Sequence, residues 1–134
     1  MHRVDAELTA DLPISPIDTE VAVDGIDHVV HVMWAWAPRE VERRVTGTLD
    51  LRAIDTGHRW LVNTFRWTGT AWGQSFVDQI GCEPAVTGEV AATVSGTSED
   101  LDLFLWTRAD RNIASSGDER VLREFGELLA DGIH

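Results

Sequence analysis

Val45-Thr46-Gly47-Thr48-Leu49-Asp50-Leu51-Arg52-Ala53 is the stretch that decides the fold. Apolar or small residues at 45, 47, 49, 51 and 53 alternate with polar ones at 46, 48, 50 and 52, the period-two pattern of a half-buried strand. Asp55-Thr56-Gly57 supplies turn chemistry and predicts a reversal into a second strand over residues 58–67. Thr68-Gly69-Thr70 predicts another turn, into a third strand over residues 71–77. Residues 78–84 read as a loop, and Val86, Gly88, Val90, Ala92 and Val94 as a fourth strand. The expected core is an antiparallel meander.

Working outward, the period changes on both sides. Ser15-Pro16-Ile17-Asp18 marks a helix start: Ser15 to cap free amides, Pro16 for the first helical position, Asp18 for the positive end of the dipole. Ala22, Ile26, Val29, Val30, Met33 and Ala37 then recur at helical spacing until Pro38, which reads as one long helix. Residues 1–14 read as a helix remnant and a connector. Downstream, Thr97-Ser98-Glu99-Asp100 is a capping-box-like start, with Leu101, Phe104, Leu105 and Arg108 on one face. Residues 112–115 suit a short edge strand. Asp118 caps a last helix whose Val121, Leu122, Phe125, Leu128 and Leu129 form an apolar stripe ending near Gly132. The expected class is α+β, an antiparallel sheet of about four to five strands with helices packed on it.

The 134 residues suffice for one domain with a real core. A formal net charge of −12 opposes binding to nucleic acid or anionic membrane, so neither is an expected partner. No apolar run approaches the roughly 18 residues that span a bilayer. The first turns carry Asp5, Glu7 and Asp11 rather than the apolar core of a secretion signal, and the expected address is the cytoplasm. Lysine and tyrosine are absent and tryptophan occurs six times, the bias of a GC-rich bacterial genome.

Several residue groups invite chemistry. Cys82 is the only cysteine, which excludes an intrachain disulfide and a cysteine-based zinc site; it reads as a free thiol in a loop. His28 and His31 lie one helical turn apart, with Asp24 and Asp27 near, a spacing that suits either a metal or a polar helix face. Trp60 and Trp67 fall on the second expected strand and Trp72 on the third, with Phe65 and Phe76 nearby, and Trp106 on the following helix. These rings suit a core or the wall of an apolar small-molecule pocket. Arg108 suits either bidentate binding of a carboxylate or the negative end of a helix. Asp50, Arg52 and Asp55 read as a solvated face. No Gly-rich phosphate loop, nucleophile elbow or HExxH motif occurs.

Several segments, in order, resemble the mycothiol-dependent maleylpyruvate isomerase family. His2-Arg3-Val4-Asp5-Ala6-Glu7 is similar to the end of that family's N-terminal DinB-like helical bundle, and Val23-Asp24-Gly25-Ile26-Asp27-His28 to the opening of its C-terminal domain. Asp55-Thr56-Gly57-His58-Arg59-Trp60 resembles its DTGxxW hairpin. The segment from Val94-Ser95-Gly96 to Leu103-Phe104-Leu105-Trp106-Thr107-Arg108 resembles its LWGR segment, and Gly117-Asp118 stands in its GD position. Two positions depart: His28 stands where Glu is common, and Thr107 where Gly is usual. The resemblance implies a sterol carrier protein 2-like domain over residues 15–134, preceded in 1–14 by a remnant of the bundle's last helix plus connector.

It also implies an actinobacterial isomerase or thiol transferase using mycothiol and a divalent metal such as zinc. His2 stands as one orphan ligand of an incomplete site, so no cofactor is expected on this chain alone. Arg108 is the expected catalytic arginine, and the expected partner is a DinB-like bundle in cis or trans. The domain would then be an accessory one, inactive alone, that helps to enclose the bundle's active site. A free-standing sterol-carrier-like binding module is the other expectation.

Overall fold

In the computed structural model, which describes residues 1–131, a five-stranded mixed sheet packs with four helices in an α+β fold. Helix α1 (His2–Thr9) and α2 (Thr19–His31) precede a 3-10 turn at Met33–Trp36. Strands β1 (Glu42–Ala53), β2 (Arg59–Ala71), β3 (Gln74–Pro84) and β4 (Ala92–Gly96) follow, then α3 (Ser98–Leu105), β5 (Ala114–Gly117) and α4 (Glu119–Asp131). The sheet order is β3-β2-β1-β4-β5. Neighbours are antiparallel except β1 and β4, which run parallel with Leu49 opposite Ala92.

That parallel pair corrects the expected meander. Pro84, Val62, Leu49 and Ala92 stand opposite one another across four strands. The chain therefore leaves β3 partway up the sheet, crosses β2 and β1, and resumes at the same level on the far side. Residues 85–91 make this crossing, with the Ala85 and Ala91 amides donating to the Leu61 and Thr48 carbonyls. The alternation read there as a strand is thus largely a crossover, and Val86 is almost fully exposed.

The alternation in β1 sorts its two faces. Leu49, Leu51 and Ala53 join Val62, Ile80 and Val94 beneath Ile26, Val29 and Val30 of α2, Leu101 and Leu105 of α3, and Val121, Phe125 and Leu128 of α4. Complete burial of such side chains contributes roughly 1.5–3 kcal/mol each. Thr48 and Asp50 face the other way, and Gly88 of the crossover lies against the Thr48 side chain.

Four element boundaries also differ from expectation. Asp18, not Ser15, caps α2, accepting from the Glu20 amide at 3.0 Å; Arg3 meanwhile holds the Ser15 and Pro16 carbonyls. After His31 the long helix gives way to the 3-10 turn, which sets Trp34 edge-on against Phe125. The β2–β3 reversal falls at Trp72-Gly73, both with positive φ as a two-residue hairpin turn requires. Gly69 instead lies inside β2 beside a bulge, packed against Val41. Finally, the expected loop 78–84 is strand: Gly81 gives room to the Phe65 ring and Cys82 pairs with Thr64. The expected caps Thr97 and Asp118 both accept helix amides, while the expected end of α4 near Gly132 lies outside the described residues.

Candidate functional site

Arg108 is placed by the way α3 stops. The Arg108 amide donates back to the Leu103 carbonyl at 2.8 Å and the Thr107 amide to Phe104 at 3.0 Å, the paired bonds of a Schellman cap. Such a cap needs a left-handed residue between helix and exit, and Thr107 has φ 59°. The guanidinium then reaches α1. Its Nε and Nη2 donate to the two carboxylate oxygens of Asp5, and its Nη1 to the Trp106 carbonyl at 2.7 Å. The Arg108 bond holds the Asp5 carboxyl below its usual range.

Helix α1 docks through buried Val4, through Asp5, and through Glu7, which accepts from the Ser15 amide at 3.0 Å. His2, one helical turn before Asp5, is exposed. Arg108 also borders an open cleft of about 450 Å³ with Phe104, Thr107, Asp110 and Leu129.

Beside this junction α2 and α3 approach closely. Gly25 faces the Asp102 carboxyl so tightly that a Cβ would collide with it. Asp102 is 2% exposed, and its Oδ1 has no hydrogen-bond partner. Burial pushes this carboxyl up to about 7. The Trp106 indole donates to the Gly25 carbonyl at 3.3 Å and stacks on His28 with ring centroids 6.0 Å apart. The Trp60 indole donates to Asp27 at 2.6 Å. Asp55 accepts from the Ser98 amide and hydroxyl, both at 2.8 Å, which ties the β1–β2 turn to the start of α3. The separate segments that carried the resemblance are therefore one interlocked unit.

A second location gathers aromatic rings. Trp67, Trp72 and Phe76 meet around Trp36, whose ring centroid lies 5.7, 5.5 and 6.0 Å from theirs. Trp36, Trp72, Phe76, Gln74, Gln79 and Asp131 line a cleft of about 430 Å³. Trp67 is buried beneath its neighbours, while Trp72 at the hairpin tip is 68% exposed. Trp60 and Trp106 stand apart from this cluster, at the α2–α3 junction. Trp36 is absent from the expected ring set because the apolar spacing extends the expected helix through residue 37. The signal was Trp34-Ala35-Trp36 directly before Pro38, whose spacing of two is not helical.

Other candidates resolve differently. Asp50 is wholly buried rather than solvated. Burial alone would raise its pKa, but hydrogen bonds from Arg59 and Arg52 outweigh that and hold it low. Cys82 is buried on β3, not in a loop, and burial raises its thiol pKa. Asp27 is engaged by Trp60 and His28 by Trp106, so the α2 residues do not converge as ligands. Among the described residues no group of three or more His, Cys, Asp or Glu could hold a metal ion. Among the described residues His2 is exposed and has no such group around it that would hold the divalent metal the resemblance implies.

Among the described residues no helix is long and apolar enough to cross a membrane. A search of the curated proteins finds no match. A family model described as the MDMPI C-terminal domain matches residues 20–124, most of the chain from α2 into α4, and the chain belongs to this family, the C-terminal domain of maleylpyruvate isomerase.

Proposed function

We propose that this domain is the accessory half of a cytoplasmic, mycothiol-dependent isomerase or thiol transferase, closing the active site of a DinB-like helical bundle supplied in cis or in trans. The carrying observation is the salt bridge between Arg108 and Asp5. It ties the α3 exit of the family-matched region to α1, one helical turn from His2, the position that resembles a bundle metal ligand. The docked side of α1 is spent on Val4 and Asp5, while His2 and Ala6 face away and are exposed. That outward side suits the remaining helices of a bundle.

In this reading Arg108 is a catalytic residue. Asp5 and the Trp106 carbonyl orient the guanidinium, and its remaining N–H donors face a substrate carboxylate from the wall of the adjoining cleft. The bundle contributes the metal and thiol chemistry. In the assembled enzyme, Arg108→Ala is expected to lower turnover by about 10²-fold, as for loss of one charged donor, with metal content unchanged. Unchanged turnover removes Arg108 from the mechanism.

The aromatic cleft favours a second reading, a sterol-carrier-like module that binds a small molecule between Trp36, Trp72 and Phe76. Saturable binding of a small apolar ligand, lost in Trp72→Ala, is its expected signature.

A further inference from the structure

The end of α2, the coil before β1 and the Pro84 end of β3 border a hollow of about 260 Å³. Its basic side chains come from three separate segments: His31 from α2, Arg39 from the coil and Arg43 from β1. On a chain of net charge −12 this is a local reversal of sign. Asp131, the last described residue, meets β3 elsewhere, at Gln79.

Arg43 is the fixed point of the hollow. Its Nη1 donates to Glu83 at 2.7 Å and its Nη2 to the Pro38 carbonyl at 2.6 Å, and the guanidinium carbon stands 4.6 Å from the Phe65 ring centroid. The Pro38 bond holds the backbone just before Arg39 against Arg43, which brings two arginines to one border. Glu83 balances the charge of Arg43. Nothing comparable balances the others: among the described residues neither Arg39 nor His31 has a carboxylate or hydrogen-bond partner. Arg52, Arg59, Arg66, Arg108 and Arg111 are each paired with a carboxylate.

Two unanswered basic side chains beside a third suit an anion of more than one charge. Donors converging from three segments suit a tetrahedral group with several terminal oxygens. A planar carboxylate has two oxygens, which a single guanidinium fork already occupies. Trp34, Ala35 and Ala37 give the remaining wall an apolar character, which suits a small organic body attached to the anion.

We propose that the hollow between His31, Arg39 and Arg43 binds the phosphate group of a small soluble molecule. It shares no lining residue with the Arg108 cleft or the Trp72 cleft, and it stands independently of the function proposed above. The test titrates the protein with inorganic phosphate, with acetate at matched ionic strength, and with phosphatidic acid vesicles. The His31 imidazole and Arg39 Nε–H resonances are the readout. Phosphate should shift both saturably and bind about tenfold more tightly than acetate. Arg39→Ala, at an exposed position, should weaken phosphate binding about tenfold with the amide spectrum otherwise retained, and His31→Ala should weaken it severalfold. Equal binding of acetate would overturn the phosphate assignment. Shifts that never saturate, unchanged affinity in Arg39→Ala, or binding to the vesicles alone would overturn the site itself.

Discussion

At Thr107 the backbone enters the left-handed region, which costs a side-chain-bearing residue about 1–2 kcal/mol. The resembling family commonly has Gly here, and the Schellman cap that aims Arg108 supplies the reason. Thr107→Gly is therefore expected to stabilise the fold by about 0.5–1 kcal/mol after the extra chain entropy of glycine, read by urea denaturation. Asp102 is the second residue out of register with ordinary chemistry. Its carboxyl titrates near 7 when folded against 3.8 as its reference value. Between those values the folded chain holds a proton that the unfolded chain has lost, so stability falls as pH rises from about 4 to about 7 and then levels. Asp102→Asn should remove that slope. The expected gain is on the order of 4 kcal/mol at pH 8 and close to none at pH 4, measured by denaturation at both values. Neither effect was visible in sequence, because Thr107 reads as an ordinary polar residue after a helix and Asp102 as an ordinary acidic residue within one.

The packing of α2 on α3 turns on Gly25. Replacing a helical Gly by Ala would normally stabilise by about 1 kcal/mol. Here the added Cβ strikes the Asp102 carboxyl, so Gly25→Ala is expected to destabilise by about 1–3 kcal/mol, the range for overpacking. In an Asp102→Ala background the same change should become neutral or stabilising. A double-mutant cycle followed by thermal unfolding checks the reversal. At this scale the sequence was partly legible. Period-two alternation located β1, and Thr97 and Asp118 marked the last two helices. The residues 78–84 misled because Asp, Gly and Pro are loop formers by composition. Gly81 is there for the Phe65 ring, a neighbour on another strand that no local pattern announces. Likewise Asp18 rather than Ser15 caps α2, while residues 15 and 16 are held to α1 by Arg3 and Glu7, contacts beyond the reach of any local pattern.

Across the whole molecule, the fold class was readable but the strand order was not. Hydrophobic alternation tells which residues face a core, not which strand lies beside which. Over residues 85–91 it even suggested a strand, where the chain makes the crossover that sets β4 parallel to β1. The candidate sites show the same limit. Tryptophans on successive strands suggested one pocket, but register places Trp60 and Trp106 at the helix junction and Trp67, Trp72 and Phe76 around Trp36. The Arg108–Asp5 pair joins two residues 103 positions apart, which no local pattern links. The sequence offered Arg108 alone, as either a carboxylate binder or a helix-end cation, and the family resemblance favoured the former.

The most direct test of the accessory role is native mass spectrometry of the protein isolated from its source cells, with metal content measured on the same species. The account predicts this domain joined to, or tightly associated with, a metal-bearing helical bundle of about 100–200 residues. A single metal-free species of 14.9 kDa, unaccompanied by any helical bundle, would contradict it.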